Sequence, residues 1–192
     1  MHFPLRQLVS EALTVPQAAA KRLNGLDIGR AHLFEAALFV SVTGAIVQSV
    51  YMGVLSSSST QDQAAALMLT PFASVSLLMG QILIVAALVH WVGRMFGGTG
   101  TFDGALKLSV FLSFVSVFWS LSFALALMLV PPMFMFLVAM GVVWTLWAHG
   151  HFIAQLHGFS SWLRVVAVAF GLSFVLTFVF VLVTGQGQVI SR

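Results

Sequence analysis

The chain has 192 residues, 60% of them hydrophobic and 7% charged, with eight Lys/Arg, five Asp/Glu and no cysteine. A soluble domain carries about 25% charged residues, so this composition excludes a water-covered globule, and lipid must be the solvent for most of the surface. The net charge of +3 comes from scattered cations without a block or stripe, which excludes nucleic acid as a partner, and the absence of cysteine excludes disulfides, thiolate metal sites and thiol-linked lipid anchors.

Residues 1–30 lack the continuous apolar stretch of a secretory leader, so the first long apolar run, from Ala31, is expected to remain in the protein. The segment before it reads as one or two short amphipathic helices on the cytoplasmic surface. Phe3, Leu5, Leu8, Val9, Ala12 and Leu13 are placed to dip into the headgroup layer. Pro16 suits a first helical turn, Lys21 and Arg22 suit a carboxyl end, and Asn24-Gly25 reads as a stop.

Five stretches then approach the roughly 20 apolar residues that a spanning helix needs. They are 31–55, 70–92, 105–130, 133–148 and 162–184, the fourth reaching full length only if it continues through 149–153. Between them stand the Ser56–Ser59 run with Asp62, the Gly97-Gly98-Thr99-Gly100 turn, Pro131-Pro132 and His157-Gly158. Irregular backbone cannot face lipid without unpaired amides, so these breakers belong at the interfaces. The expected architecture is all-α: a polytopic membrane bundle of five transmembrane helices, preceded by an interfacial segment over 1–30 and followed by a short external tail over 185–192.

Seven of the eight cations, Arg6, Lys21, Arg22, Arg30, Arg94, Lys107 and Arg164, fall on one side of this layout, and only Arg192 falls on the other. The bias of Lys and Arg toward cytoplasmic loops then predicts a cytoplasmic amino terminus and an external carboxyl terminus.

Small and hydroxylated residues at helical spacing mark where helix backbones approach in lipid. Ser41, Gly44 and Gln48 form such a stripe in the first span, and Ser109, Ser113, Ser116 and Ser120 form one in the third. Gly141, Thr145 and His149 do so in the fourth, and Ala169, Ser173 and Thr177 in the fifth. Serine can return its hydroxyl to the carbonyl four residues back, so the stripes are expected to pack helices together. Phe111, Phe114 and Phe118 lie on another face of the third span and are expected to meet lipid or fill gaps.

Histidine is the most suggestive residue type. His32, His90, His149, His151 and His157 all fall at the cytoplasmic face, and Glu35 shares a helix face with His32 at i, i+3. Neutral imidazoles and a carboxylate are ligands for zinc or a similar ion, and histidine also titrates near neutrality. The spacing matches no metal box, so the expectation is no metal and no cofactor, with these side chains bonded to lipid phosphate, arginine or backbone. Asp103 and Lys107, at i, i+4, read as a local ion pair. Gly97-Gly98-Thr99-Gly100 lacks the lysine and strand context of a phosphate cradle, and no catalytic triad or paired acid and base is present.

Leu13-Thr14-Val15-Pro16, Gly97-Gly98-Thr99-Gly100-Thr101-Phe102 and Leu156-His157-Gly158-Phe159-Ser160 give the chain its resemblance to the Yip family of five-helix membrane proteins. The resemblance runs from about Leu13 to Thr184 and implies a Yip-like transmembrane domain over 31–184 with a cytoplasmic amino end. The Asp-Leu-Tyr-Gly-Pro stretch and long polar amino-terminal region of eukaryotic members are missing, so small GTPase binding is not carried over. The compact size resembles a bacterial member of the inner membrane.

The expected function is non-enzymatic: a scaffold, accessory subunit or interaction partner of another membrane protein, of itself or of lipid. The alternative is a small transporter or channel in which Gln48, Gln81 and the serine stripes line a path and Glu35 handles protons with the histidines. A membrane enzyme built on a His/Glu metal site is the third reading.

Overall fold

The structure, a computed structural model, describes residues 5–56 and 70–186, and among these every regular element is an α-helix. Helices α1 (Leu5–Thr14) and α2 (Pro16–Asn24) form a short hairpin. The long helices follow as α3 (Arg30–Ser56), α4 (Pro71–Met95), α5 (Phe102–Leu129), α6 (Pro131–His157) and α7 (Trp162–Gln186). Four candidate spans, Arg30–Gly53 of α3 and the whole of α4, α5 and α6, are long and apolar enough to cross a bilayer, and α7 adds the apolar stretch Trp162–Val175. Phe3, the loop over 57–69 and the tail over 187–192 lie outside the described residues.

The helix ends follow from local chemistry. Thr70 accepts a hydrogen bond from the Ala73 N–H at 3.3 Å ahead of Pro71, whose fixed φ and missing N–H suit a first turn. Thr101 does the same for the Gly104 N–H at 3.1 Å, which starts α5 three residues before the expected 105. Helix α4 closes with Gly97 at φ +83°; the Gly97 N–H bonds the Arg94 carbonyl and the Gly98 N–H bonds the Gly93 carbonyl.

The fourth span differs most from its expectation, continuing through 149–153 as its length required and then on to His157. Gly150 suggests a weak point in a helix, yet it is where α7 crosses α6. A Cβ there would stand 2.8 Å from Val166 Cγ2 and 3.3 Å from the Trp162 carbonyl oxygen. The helix stops instead at Gly158, which adopts φ +73° while the Phe159 N–H caps the Ala154 carbonyl at 2.9 Å.

Helix α5 is the shared wall of the molecule. Leu106 and Val110 pack with Leu33, Ala37 and Val40 of α3 and Ile82 and Ala86 of α4. Leu108, Phe111, Leu112 and Val115 turn toward Trp144, Ala148 and Phe152 of α6 and toward the amino-terminal hairpin. Phe111 is therefore a core residue stacked on Phe152 at 5.7 Å, not a lipid-facing one, whereas Phe118 is exposed.

The hairpin also departs from its expectation. Leu8, Ala12, Ala19, Ala20 and Leu23 are buried against α5 and α6, so its apolar face meets protein rather than headgroups. Leu13 does point outward. The outer faces of the long helices carry Phe39, Ile46, Phe72, Ile84, Met135 and Phe174, the inverted surface expected where lipid replaces water.

Candidate functional site

One end of the bundle gathers most of the polar chemistry, because α4 ends, α5 begins, α6 ends and α7 begins there. At its centre is His157, 2% exposed in spite of being the last residue of α6. The Gly100 N–H donates to His157 Nδ1 at 3.2 Å, which leaves the ring proton on Nε2, and Nε2–H donates to the Val89 carbonyl at 3.0 Å. Phe159 stacks on the ring at a centroid distance of 5.5 Å, and the His157 carbonyl accepts from the Thr99 N–H at 3.3 Å. Both ring nitrogens and the carbonyl are thus engaged by neighbours within the chain.

The slot that holds the ring is built from missing side chains. A Cβ at Gly93 would lie 2.2 Å from Nε2, one at Gly98 would lie 2.3 Å from Nδ1, and one at Gly100 would lie 2.7 Å from Cε1. Gly104 leaves similar room for Leu156 Cδ1, at 2.6 Å. His90 completes the arrangement by donating from Nδ1 to the Gly100 carbonyl at 3.1 Å, with its ring edge-on to Phe102. The glycine turn is a receptacle for the end of α6. The stretch over 97–102 and the stretch over 156–160, 58 residues apart by their glycines Gly100 and Gly158, meet here.

Ionic contacts fasten the same end from outside. Arg30 donates from Nε and Nη2 to the two Asp103 oxygens at 2.8 and 3.0 Å. Lys107 donates to the Leu26 carbonyl. Asp103 and Lys107 therefore each reach a residue from the amino-terminal part of the chain instead of forming the local pair expected from their spacing. In the hairpin, Arg22 pairs with Glu11 at 2.8 Å.

The remaining histidines are dispersed. His32 and Glu35 pair at 3.0 Å on an exposed face of α3. His149 donates from Nδ1 to the Thr145 carbonyl at 2.8 Å, and His151 lies between Trp147 and Trp162 with centroids 5.7 and 5.1 Å away. His32, Glu35, His90, His149, His151 and His157 form no common cluster, and among the described residues no group of three or more His, Asp or Glu is placed to hold a metal ion.

The small-residue stripes divide by depth. Ser41 is buried, returns its hydroxyl to the Ala37 carbonyl at 2.8 Å and reaches Met79 Sδ at 3.9 Å. Gly44 meets Leu78, and Gly141 meets Phe123. Ser109 is buried with no bond to its Oγ, Ser113 is half-buried, and Ser116 returns its hydroxyl to the Leu112 carbonyl. Thr145 is half-buried, whereas Gln48, Gln81, Ser120 and Thr177 are exposed, as are Ala169 and Ser173, which line an open groove between α4 and α7. The glycine slot around His157 was not read as a unit from the sequence; its signal was a buried-size residue, histidine, directly before a helix-stopping glycine and facing a run of glycines.

The family described as the Yip1 domain matches residues 11–183 of the chain. No curated protein and no solved structure is significantly similar to it.

Proposed function

The chain belongs to the Yip1 domain family, and from that premise we propose that it is a non-enzymatic scaffold or accessory subunit of the bacterial inner membrane, engaging another membrane protein, a second copy of itself or lipid. In this reading α3 to α7 cross the bilayer five times, with the hairpin and the His157 slot cytoplasmic and the carboxyl terminus outside. Arg30, Arg94, Lys107 and Arg164 all belong to the slot end of the helices, as cytoplasmic cations should.

The observation that carries the non-enzymatic reading is the use made of His157. The most deeply placed histidine spends both ring nitrogens on backbone groups, so it holds the ends of α4, α5 and α6 together and leaves no lone pair for a reaction. What the molecule offers to others is surface, above all α7, which packs chiefly along α6 and turns Phe170 and Phe174 outward.

The experiment places a photo-activated cross-linking residue at Phe170 or Phe174 in intact membranes and, in parallel, measures solute and proton flux in proteoliposomes. The reading expects one discrete cross-linked species from the α7 positions and flux no faster than in empty vesicles. Specific flux, or cross-links to bulk lipid alone, overturns it.

A further inference from the structure

Helices α4 and α7 do not close on each other, and the space between them is a groove of about 640 Å³ whose floor is Ile153 of α6. Its walls are apolar: Leu88 and Val92 on α4, Val168 and Leu172 on α7, with Phe96 and Phe159 at the end nearer the His157 slot. Its mouth is of different character, with Ser160, Ser161 and the Arg164 side chain. Arg164 makes no ion pair among the described residues, and no carboxylate lines the groove.

We propose that this groove holds an anionic phospholipid, its phosphate at Arg164 and one acyl chain between α4 and α7. The proposal rests on the reading of the chain as a membrane protein that engages protein or lipid, and it names the lipid. Two features select that occupant. From Arg164 to Leu172 the groove follows eight residues of α7, about 12 Å at the helical rise, which approaches the roughly 15 Å depth of one leaflet. A partner's spanning helix would need a seam of about 30 Å, about two and a half times what this groove offers. The mouth then supplies an unpaired guanidinium beside two hydroxyls, a set that bonds phosphate oxygens and favours a headgroup with net negative charge. Arg94, in the last turn of α4, lies at the same end and adds to the positive potential.

The test uses the full chain in nanodiscs of phosphatidylglycerol and phosphatidylcholine in equal parts, followed by release into mild detergent and native mass spectrometry. Wild-type protein is expected to retain one phosphatidylglycerol in preference to phosphatidylcholine. Arg164→Gln lowers that preference about fivefold, Arg164→Lys largely restores it, and Ala169→Phe, which fills the groove, removes both lipids. Thermal melting in detergent shows that each variant is folded; should Ala169→Phe fail to fold, the Gln and Lys pair alone decides. Equal retention of the two lipids, a preference that Arg164→Gln leaves intact, or a second copy or other protein found in the groove overturns the proposal. Those results leave the scaffold reading standing, whereas specific flux in proteoliposomes removes that reading without touching the lipid measurement.

Discussion

Gly100 is held between two histidines: its N–H donates to His157 Nδ1 at 3.2 Å and its carbonyl accepts from His90 Nδ1 at 3.1 Å. The two bonds run in opposite senses from one residue, so the loop between α4 and α5 is tied to the end of α6 and to α4 at a single point. Replacing His157 tests how much of the fold depends on that tie. Asparagine places an acceptor near Nδ1 and keeps the Gly100 bond while losing Val89; glutamine is suited to the reverse. Each is expected to destabilise by about 1–2 kcal/mol. Alanine loses both bonds and leaves a cavity, at a cost of about 4 kcal/mol. Thermal or denaturant melts in detergent should therefore rank alanine well below the two amides; equal melting of all three variants and wild type would show that the slot contributes nothing.

Two glycines of the same helix make an internal comparison. At Gly93 a methyl group would stand 2.2 Å from the His157 ring, which is confined on its other sides by Gly98 and Gly100. Gly93→Ala is expected to cost about 2–3 kcal/mol through overpacking. At Gly80 nothing lies within 4 Å of the added carbon, so Gly80→Ala keeps only the gain in helix propensity, up to about 1 kcal/mol. Opposite signs in the melting temperature are the expected result, and a tolerated Gly93→Ala would contradict the tightness of the slot.

The contrast also shows what the sequence makes legible. Apolar length alone marks the long helices, because a bilayer imposes a minimum run that nothing else in the chain imitates. Thr70-Pro71 and Asn24-Gly25 announce their helix ends through local chemistry. His157 was different. Its position beside a glycine stop suggests an interfacial loop, and its burial follows only from three glycines 57 to 64 residues earlier, Gly93, Gly98 and Gly100, coming to face it. The role of Gly150 is hidden for the same reason, since the sequence shows only that an apolar run continues through it, while tertiary contact with Trp162 and Val166 makes it a crossing point. The burial of Leu8 was hidden too, because an amphipathic helix shows the same pattern whether its apolar face meets headgroups or protein.

That last ambiguity has a direct consequence for proteolysis. Leu8 is fully buried among α2, α5 and α6, whereas Leu13 on the same helix is 44% exposed. Leu8→Asp puts an unpaired charge into the packed face and is expected to detach the α1–α2 hairpin, since the hairpin contributes a separable part of the core and local opening costs less than global unfolding. Lys21 and Arg22, exposed on α2, then become trypsin sites. Cleavage there should accelerate at least tenfold in Leu8→Asp and remain near wild type in Leu13→Asp. Equal rates in the two variants would place the hairpin on the membrane surface, away from α5 and α6.

The proposed cytoplasmic placement of the slot is tested through the cations around it. Arg30 and Asp103 form a two-bond ion pair outside the slot, Lys107 bonds the Leu26 carbonyl, and Arg94 and Arg164 belong to the same helix ends. Concentrating cations at one end costs little in water but opposes translocation of that end during insertion, so the slot should remain cytoplasmic. The absence of native cysteine makes single-cysteine labelling clean. Lys21→Cys and Thr99→Cys should react with a membrane-impermeant thiol reagent only in inverted vesicles, and Ser58→Cys only in intact cells or right-side-out vesicles. Replacing Arg30, Arg94 and Arg164 together by glutamine should yield a mixed labelling pattern, because the cations that oppose translocation of the slot end are then largely removed. Labelling of Thr99→Cys from outside in the otherwise unaltered chain would invert the proposed orientation.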